Sequence, residues 1–242
     1  MDALPARTVH VREIGDRSHR YEQASSSDGL RLDLDPGEME PIAGGRCSLS
    51  SSGAERWSLP DGTLALVTNR RLAWLTTSFD TGGGWAGVRA LGVVVATTAN
   101  AVSRRQAARR AAGRVAIGHV RHEWVAAVQL RRRKALIGVV DSYLDIEVVT
   151  AAGRVSVELW GKGLIDERFA RWFAQVVAHE RLVLADALLP QGDRTELREI
   201  AAGAPGVAWG SGSTTGLRWT MPGDACVLVE AARGRDRDSG AG

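Results

Sequence analysis

Residues 61–74 read DGTLALVTNRRLAW, and apolar and polar positions alternate in this stretch on both sides of a short polar pair. Leu64 and Leu66 share one face of the first run, and Leu72 and Trp74 share one face of the second. Alternation with a period of two is the pattern of a half-buried β-strand. Two such runs joined by Asn-Arg predict an antiparallel β-hairpin.

Strand patterns continue on both sides of this hairpin. One apolar face comprises Trp124, Ala126, Val128 and Leu130. The segment 143–160 alternates on both sides of an Ala-Ala-Gly turn, which predicts a second hairpin with one solvated face. Shorter strands are predicted at 8–13, 30–34 and 225–231, and the Ser-rich residues 18–28 favour a loop.

Helices are predicted in three segments, two from their apolar spacing and one from a capping box. Residues 164–182 carry a wide apolar stripe, which predicts an amphipathic helix that docks on the sheet: Ile165, Phe169, Trp172, Phe173 and Val176. Residues 86–112 also have apolar positions spaced by three and four. Residues 193–196 resemble a capping box that opens a short helix ending at Ala202, and the run 210–216 (GSGSTTG) is expected to be a loop.

The form of the first hairpin, hydrophobic-x-hydrophobic-Thr-(Asn/Asp)-x-Arg-hydrophobic, is similar to the hairpin of bacterial pleckstrin-homology-like (PH-like) and GRAM-like domains. The second hairpin followed by helix 164–182 fits the same plan, and the resemblance covers roughly residues 37–182. It implies a mainly β fold of the α+β class, a PH-like two-sheet partly open barrel capped by a C-terminal amphipathic helix. Helix 86–112 departs from that plan as an insertion between strands.

The resemblance also implies a division of the chain. The expected parts are an N-terminal strand and linker (1–35), the PH-like domain (36–182), a C-terminal extension of a short helix plus strands (183–232), and a disordered tail (233–242). Fold does not settle function, and no ligand is carried over from the family.

Positive charge is concentrated in one part of the chain. The whole sequence carries a net charge of +3, whereas residues 103–134 hold ten basic residues against the single acid Glu123, a net charge of +9. Only Lys134 and Lys162 of the 31 basic residues are lysines, a bias that resembles proteins of high-GC bacteria. A local patch of one sign attracts anionic lipid, nucleic acid or an acidic protein.

The expected anion- or partner-binding residues lie in this region. They are Arg104, Arg105, Arg109, Arg110, Arg131, Arg132, Arg133 and Lys134. Two simpler interpretations stay open: residues 131–134 could be a solvated connection between strands, and acids such as Asp145 and Glu147 could pair with the arginines internally. The leading hypothesis is a non-catalytic binding or scaffolding module recruited to an anionic lipid surface or an acidic protein partner.

Enzymatic and metal chemistry have no support in the motifs. His119 and His122, if both were on one strand, would point to opposite faces and could not bind one ion together. The Gly-rich run 210–216 lacks the lysine of a phosphate-binding loop. We therefore expect no catalytic residue, cofactor or metal ligand. An enzyme of unrecognised class is the first alternative and a nucleic-acid-binding protein the second, the latter disfavoured because basic and aromatic residues are not interleaved.

Composition favours a cytoplasmic protein. The arginine-rich region adds the expectation that the protein is recruited to a membrane surface as a peripheral protein. Apolar residues make up 44% of the 242, which is enough for a real core. Cys47 and Cys226 are expected to be unpaired thiols. No apolar run reaches the length of about 20 residues that a transmembrane helix needs, and the first residues do not resemble a signal peptide.

Overall fold

The computed structural model describes residues 12–13, 34, 37–54, 57–76, 116–134, 140–150, 153–161, 163–224, 227–228 and 231. The helix predicted over 86–112, the loop 18–28 and the tail 233–242 lie outside these ranges. So do Arg104, Arg105, Arg109, Arg110 and Cys226. Of the strand predicted over 30–34 only Leu34 is described, and it has no regular secondary structure.

Within the described ranges, ten strands form one antiparallel sheet in the order β1-β5-β4-β3-β2-β8-β7-β6-β10-β9. The strands are β1 (Arg12–Glu13), β2 (Ala43–Gly53), β3 (Trp57–Val67), β4 (Arg71–Thr76), β5 (Ala116–Arg121), β6 (Val125–Lys134), β7 (Val140–Thr150), β8 (Gly153–Trp160), β9 (Val207–Ser211) and β10 (Thr214–Thr220). Two helices, α1 (Glu167–Ala185) and α2 (Gln191–Ala201), complete the regular structure. The predicted α+β class is confirmed.

Two runs of consecutive antiparallel strands build the sheet. Strands β2 to β5 form the first run and β6 to β8 the second, and β2 pairs with β8 over residues 48–53 to join them. Both predicted hairpins are confirmed, with Leu66 opposite Ala73 in the first and Ile146 opposite Val157 in the second. The sheet is not closed, because its ends are β1 and β9.

Helix α1 covers the apolar face of the sheet. Its N-cap is Asp166, whose carboxylate accepts a hydrogen bond of 2.8 Å from the amide of Phe169. The helix therefore begins three residues later than the predicted 164–182. Its most buried side chains are Ala170, Phe173, Ala174, Val177 and Ala178, whereas Phe169, Trp172 and Val176 are only partly buried.

The residues after α1 belong to the same core. Strand β10 pairs with β6 over seven positions, and α2 packs against α1. Leu197, Trp219 and Met221 are buried in one apolar cluster with the strands of the second run. The segment 183–232 thus contributes directly to the sheet and its core.

Three predictions about local structure downstream of α1 are wrong. Helix α2 starts at Gln191 after Pro190 with no side-chain cap, so residues 193–196 lie inside the helix. The run 210–216 is not a loop, because β9 and β10 enclose only the two-residue turn Gly212-Ser213. The positive φ of 59° at Gly212 suits the first position of such a turn. The strand predicted over 225–231 is wrong for its described residues, because Val227, Leu228 and Ala231 are helical.

Two predictions upstream are also wrong. Arg131–Lys134 are not a connection between strands but the second half of β6. The segment 119–123 is not one strand, because β5 ends at Arg121 and a 3₁₀ turn covers His122–Trp124.

Candidate binding site

The arginine run of β6 is divided between the two faces of the sheet. Successive side chains of a strand point to opposite faces, so Arg131 and Arg133 share the outer face and Arg132 lies on the face of α1. Arg131 donates from Nε to Asp145 over 2.9 Å, pairs with Glu158, and lies 4.9 Å from the ring centre of Tyr143. Internal pairing, which the sequence left open, is therefore found for Arg131.

Arg132 lies beside the first turn of α1. It pairs with Glu167 over 3.1 Å, and Glu167 also accepts from Arg171 over 2.8 Å. Arg133 is exposed, and Lys134 is the last residue of β6. Arg132 therefore adjoins a polar groove lined by Asp166, Glu167, Arg168 and Arg171, while the predicted run as a whole does not form one surface.

A separate apolar pocket lies where β2 separates from β8. Strand β2 pairs with β8 only from Ser48 onward, whereas its first residues pair with β3 alone among the described strands. The pocket has a volume of about 150 Å³. Its walls include Ala43, Gly45, Cys47, Val67, Leu164, Ile165 and Phe169. A cavity of this size and lining matches a benzene-sized apolar group.

Leu164 lies at the mouth of the pocket across two glycines. A Cβ atom added to Gly45 would lie 2.9 Å from Leu164 Cδ2, and one added to Gly161 would lie 3.1 Å from Leu164 Cδ1. Both positions therefore need glycine for Leu164 to pack so closely. Leu164 remains 41% exposed, so an apolar residue borders the pocket where it meets solvent.

Among the described residues that line the pocket, Cys47 is the only one with an ionisable side chain. Burial raises the pKa of its thiol to about 12, so the thiol is neutral at physiological pH and is a poor nucleophile. Cys47 is also a free cysteine, as predicted. The pocket can therefore hold an apolar group but offers no acid, base or nucleophile to it.

The pocket and the polar groove both include residues at the start of α1, but on different sides of the helix, because Phe169 and Glu167 lie about 200° apart around its axis. Ile165 and Phe169 line the pocket, and the residues between them line the groove. Asp166 is engaged as the N-cap, and Glu167 is shared by two arginines. Among the described residues, no carboxylate pairs with the exposed Arg168. Arg168 precedes Phe169 in the first turn of α1, so its exposed guanidinium belongs to the same end of the helix as the pocket.

The residues of the hairpin motif form a separate, buried cluster. Arg71 donates to Glu38 from Nε over 2.9 Å and from a terminal nitrogen over 2.7 Å, and Thr68 donates to the same carboxylate over 2.5 Å. Thr68 also accepts from the amides of Arg70 and Arg71, each over 3.1 Å. The motif therefore anchors the segment before β2 to the β3–β4 turn.

A second buried arginine joins α1 to distant segments. Arg181 donates to the carbonyls of Glu123, Val125, Met221 and Pro222 over 2.5–3.2 Å. Burial lowers its pKa to about 10, against the opposing effect of Glu123. These four bonds tie the helix to the start of β6 and to the chain after β10, which is a structural role.

His119 and His122 are both buried and do not form a metal site. His119 packs against Trp124 with ring centres 5.5 Å apart, and His122 packs edge-on to Phe173 at 5.7 Å. Burial lowers the pKa of His122 to about 3. Within the described part of the chain, no group of three or more His, Cys, Asp or Glu side chains could hold a metal ion.

Comparison with known proteins adds no relative to this description. No family model, no curated protein and no solved structure matches the chain. The helices within the described ranges are too short or too polar to cross a membrane.

Sequence reasoning missed the apolar pocket. Its wall is assembled from β2 and β3 together with the turn before α1, which follows them by about 100 residues in the chain. The one local signal is the run Ala43-Gly44-Gly45, whose small side chains leave space in a strand that otherwise packs on the core.

Proposed function

We propose that this chain is a non-catalytic binding module of the PH-like, GRAM-like type, and that it binds anionic lipid at the surface of a membrane. An apolar part of the lipid enters the pocket beside Leu164, and the anionic headgroup lies near Arg168. Recruitment of a cytoplasmic protein to the membrane as a peripheral protein follows from this mode of binding.

The fold type is supported by the order of the elements. Two runs of antiparallel strands joined through β2 and β8, followed by a helix that packs on the sheet, agree with the plan that the hairpin motif implies. Thr68 and Arg71 of that motif make the buried contacts at the turn. The chain adds α2, β9 and β10 to this plan.

The observation that carries the proposed ligand is an apolar pocket at the N-terminal end of α1, which also presents the exposed Arg168. An apolar opening beside an exposed arginine suits an amphiphile with a negative head, because each part of the ligand meets a matching surface. Arginine is well suited to phosphate oxygens, and cytoplasmic leaflets are anionic. The neutral Cys47 thiol, the one ionisable group among the described residues of the pocket wall, favours binding over catalysis.

Vesicle sedimentation tests this proposal with two matched pairs of variants. Ala43→Leu fills the pocket, and Ala187→Leu adds the same side chain to an exposed residue at the other end of α1. Arg168→Gln removes the groove charge, and Arg198→Gln removes an exposed charge on α2 that pairs with Asp186. We expect wild-type binding to rise with anionic lipid content and to fall about fivefold in Arg168→Gln. Ala43→Leu should also weaken binding, and both controls should bind as the wild type does.

Other outcomes point elsewhere. If the wild type does not bind vesicles at any lipid composition, the membrane proposal is wrong. If replacing Arg104, Arg105, Arg109 and Arg110 by Gln abolishes binding while Ala43→Leu and Arg168→Gln leave it unchanged, the contact lies on those arginines and not at the pocket. An acidic protein partner becomes the better hypothesis only when vesicle binding fails.

A further inference from the structure

Strand β9 forms one end of the sheet and is open to solvent. It pairs with β10 alone among the described strands. Val207, Ala208, Gly210 and Ser211 are exposed, and Val207 retains 75% of its accessible surface. Only Trp209 is half-buried. The outer edge of β9 therefore presents backbone groups that another strand can pair with.

The edge strands at the two ends of the sheet, β1 and β9, differ in how well they are protected against pairing with another strand. At the far end, β1 consists of two charged residues, Arg12 and Glu13, which is a short edge that discourages pairing. Strand β9 reads VAWGS, with no charge and no proline, and its register with β10 continues without a bulge. Charge, proline and a bulge, three features that commonly block edge-to-edge pairing, are therefore absent from the described strand β9.

The hairpin register shows which groups of β9 face outward. Ser211 and Thr214 flank a two-residue turn and form a hydrogen-bonded pair, after which bonded and non-bonded pairs alternate along the ladder. Trp209 and Val207 are then bonded to β10. The amides and carbonyls of Ala208 and Gly210 point away from β10, toward the open edge.

We infer that β9 is a self-association surface, at which two copies of this chain pair antiparallel through a two-fold axis at Trp209. Ala208 of one copy then lies opposite Gly210 of the other, and the outward groups of both residues form four hydrogen bonds across the axis. The two sheets become one continuous sheet. This inference is independent of the proposed lipid site, which lies at the start of α1.

Charge and side-chain size favour a second copy as the occupant of this edge. A two-fold axis brings identical residues together, and an uncharged strand can do this without like-charge repulsion. The residues opposite one another, Ala208 and Gly210, are small and allow close approach. Each Trp209 ring lies over Gly216 of its own chain, where an added Cβ would be 2.8 Å from Nε1, so the indoles lean away from the axis.

The size of this contact predicts a weak dimer. A five-residue edge strand buries much less than the roughly 1,200 Å² of a standard stable interface. We therefore expect monomer and dimer to exchange rapidly, with the dimer populated at high protein concentration.

Sedimentation equilibrium of the full chain over a wide range of concentrations tests the inference. Ala208→Pro removes one outward donor from each copy, which removes two of the four hydrogen bonds and should weaken the dimer about tenfold or more. Ala208→Lys places a charge on the edge and should have a similar effect. Ala202→Lys, at an exposed residue after α2, is the matched control and should dimerise as the wild type does. Thermal unfolding of each variant verifies that it is folded.

The inference is overturned if the wild type stays monomeric up to its solubility limit. It is equally overturned if the dimer persists unchanged in both Ala208 variants, because the contact would then lie elsewhere. Association that requires a different protein, with no self-association, would assign the edge to an extended peptide instead of a second copy.

Discussion

Glu38, Thr68 and Arg71 form a buried cluster although residues of these types are usually found at protein surfaces. Sequence alone predicts the turn at Thr68 but not the burial of Arg71, because its partner Glu38 lies 33 residues away. A charge can be buried at low cost only when its partner is fixed in place. Such pairing depends on tertiary structure and has no local sequence signal.

His122 is a buried residue whose protonation should lower stability at acidic pH. Its pKa is about 3 in the folded protein, against 6.5 for an exposed histidine. Between these two values the unfolded chain binds more protons than the folded chain, so the free energy of unfolding falls as pH falls below about 6.5. The loss from this one group approaches about 1.4 kcal/mol per pH unit.

Urea denaturation across a pH series compares the wild type with His122→Asn, which keeps a donor for the carbonyl of Asn69. Carboxylates titrate in both proteins, so their contribution cancels in the comparison. We expect the variant to show a shallower decline in stability between about pH 6 and pH 4. If the free energy of unfolding depends on pH equally in the two proteins, His122 is protonated in the folded state over this pH range, and its pKa is not lowered by burial.

At the scale of elements, alternation identified the strands that have one apolar face. The predicted hairpins over 63–76 and 143–160 match β3–β4 and β7–β8 for this reason. Alternation predicted the strand β3 correctly but assigned its buried face wrongly. Leu64 and Leu66 are only partly buried, while Thr63, Ala65 and Val67 form the buried face of β3.

Glycine and charged residues led to wrong loop predictions where the tertiary structure places them in strands. Gly216 suggested a loop, but a Cβ there would lie 2.0 Å from the carbonyl of Leu130, so glycine is needed for β10 to approach β6. Arg131 and Arg132 suggested a solvated connection between strands. In the structure they point to opposite faces of the sheet, where Arg131 pairs with Asp145 of β7 and Arg132 pairs with Glu167 of α1. The apolar run 225–231 is short, and periodicity alone does not separate a strand from a helix in such a run.

Of three truncations in helix α1, at Phe169, Phe173 and Val183, the one at Phe173 should lower the stability of the protein most. Phe173 is fully buried, so Phe173→Ala should lower the free energy of unfolding by about 3–5 kcal/mol. Phe169 is partly buried and already borders the apolar pocket, so Phe169→Ala should cost less, about 1–2 kcal/mol. Val183→Ala, at a residue that is 64% exposed, is the control and should change stability by less than about 0.5 kcal/mol.

Urea denaturation of the three variants measures these differences. Equal losses for Phe169→Ala and Phe173→Ala would contradict the partial burial of Phe169. A loss below about 1 kcal/mol for Phe173→Ala would contradict the packing of α1 on the sheet.

On the scale of the whole molecule, the C-terminal residues connect the outer strands to the centre. Strand β10 extends the sheet at β6, and Trp219 donates to the carbonyl of Ala204 over 3.0 Å, which fixes the chain between α2 and β9. Arg181 bonds the chain after β10 to α1. The division at 182 and 183 that the resemblance implies stays a prediction, and these contacts argue that the two parts depend on each other.

Truncation after Leu189 tests that dependence. The shortened chain lacks α2, β9 and β10, so β6 loses its seven-residue ladder, Arg181 loses the carbonyls of Met221 and Pro222, and the core loses Trp219. We expect this chain to unfold without a single cooperative transition, seen as different urea midpoints by circular dichroism and by tryptophan fluorescence. A control chain that ends at residue 232 keeps every described element and should give coincident midpoints. Cooperative, equally stable unfolding of the chain 1–189 would instead show that the first eight strands and α1 form a self-sufficient domain, with the following segment added to a complete core.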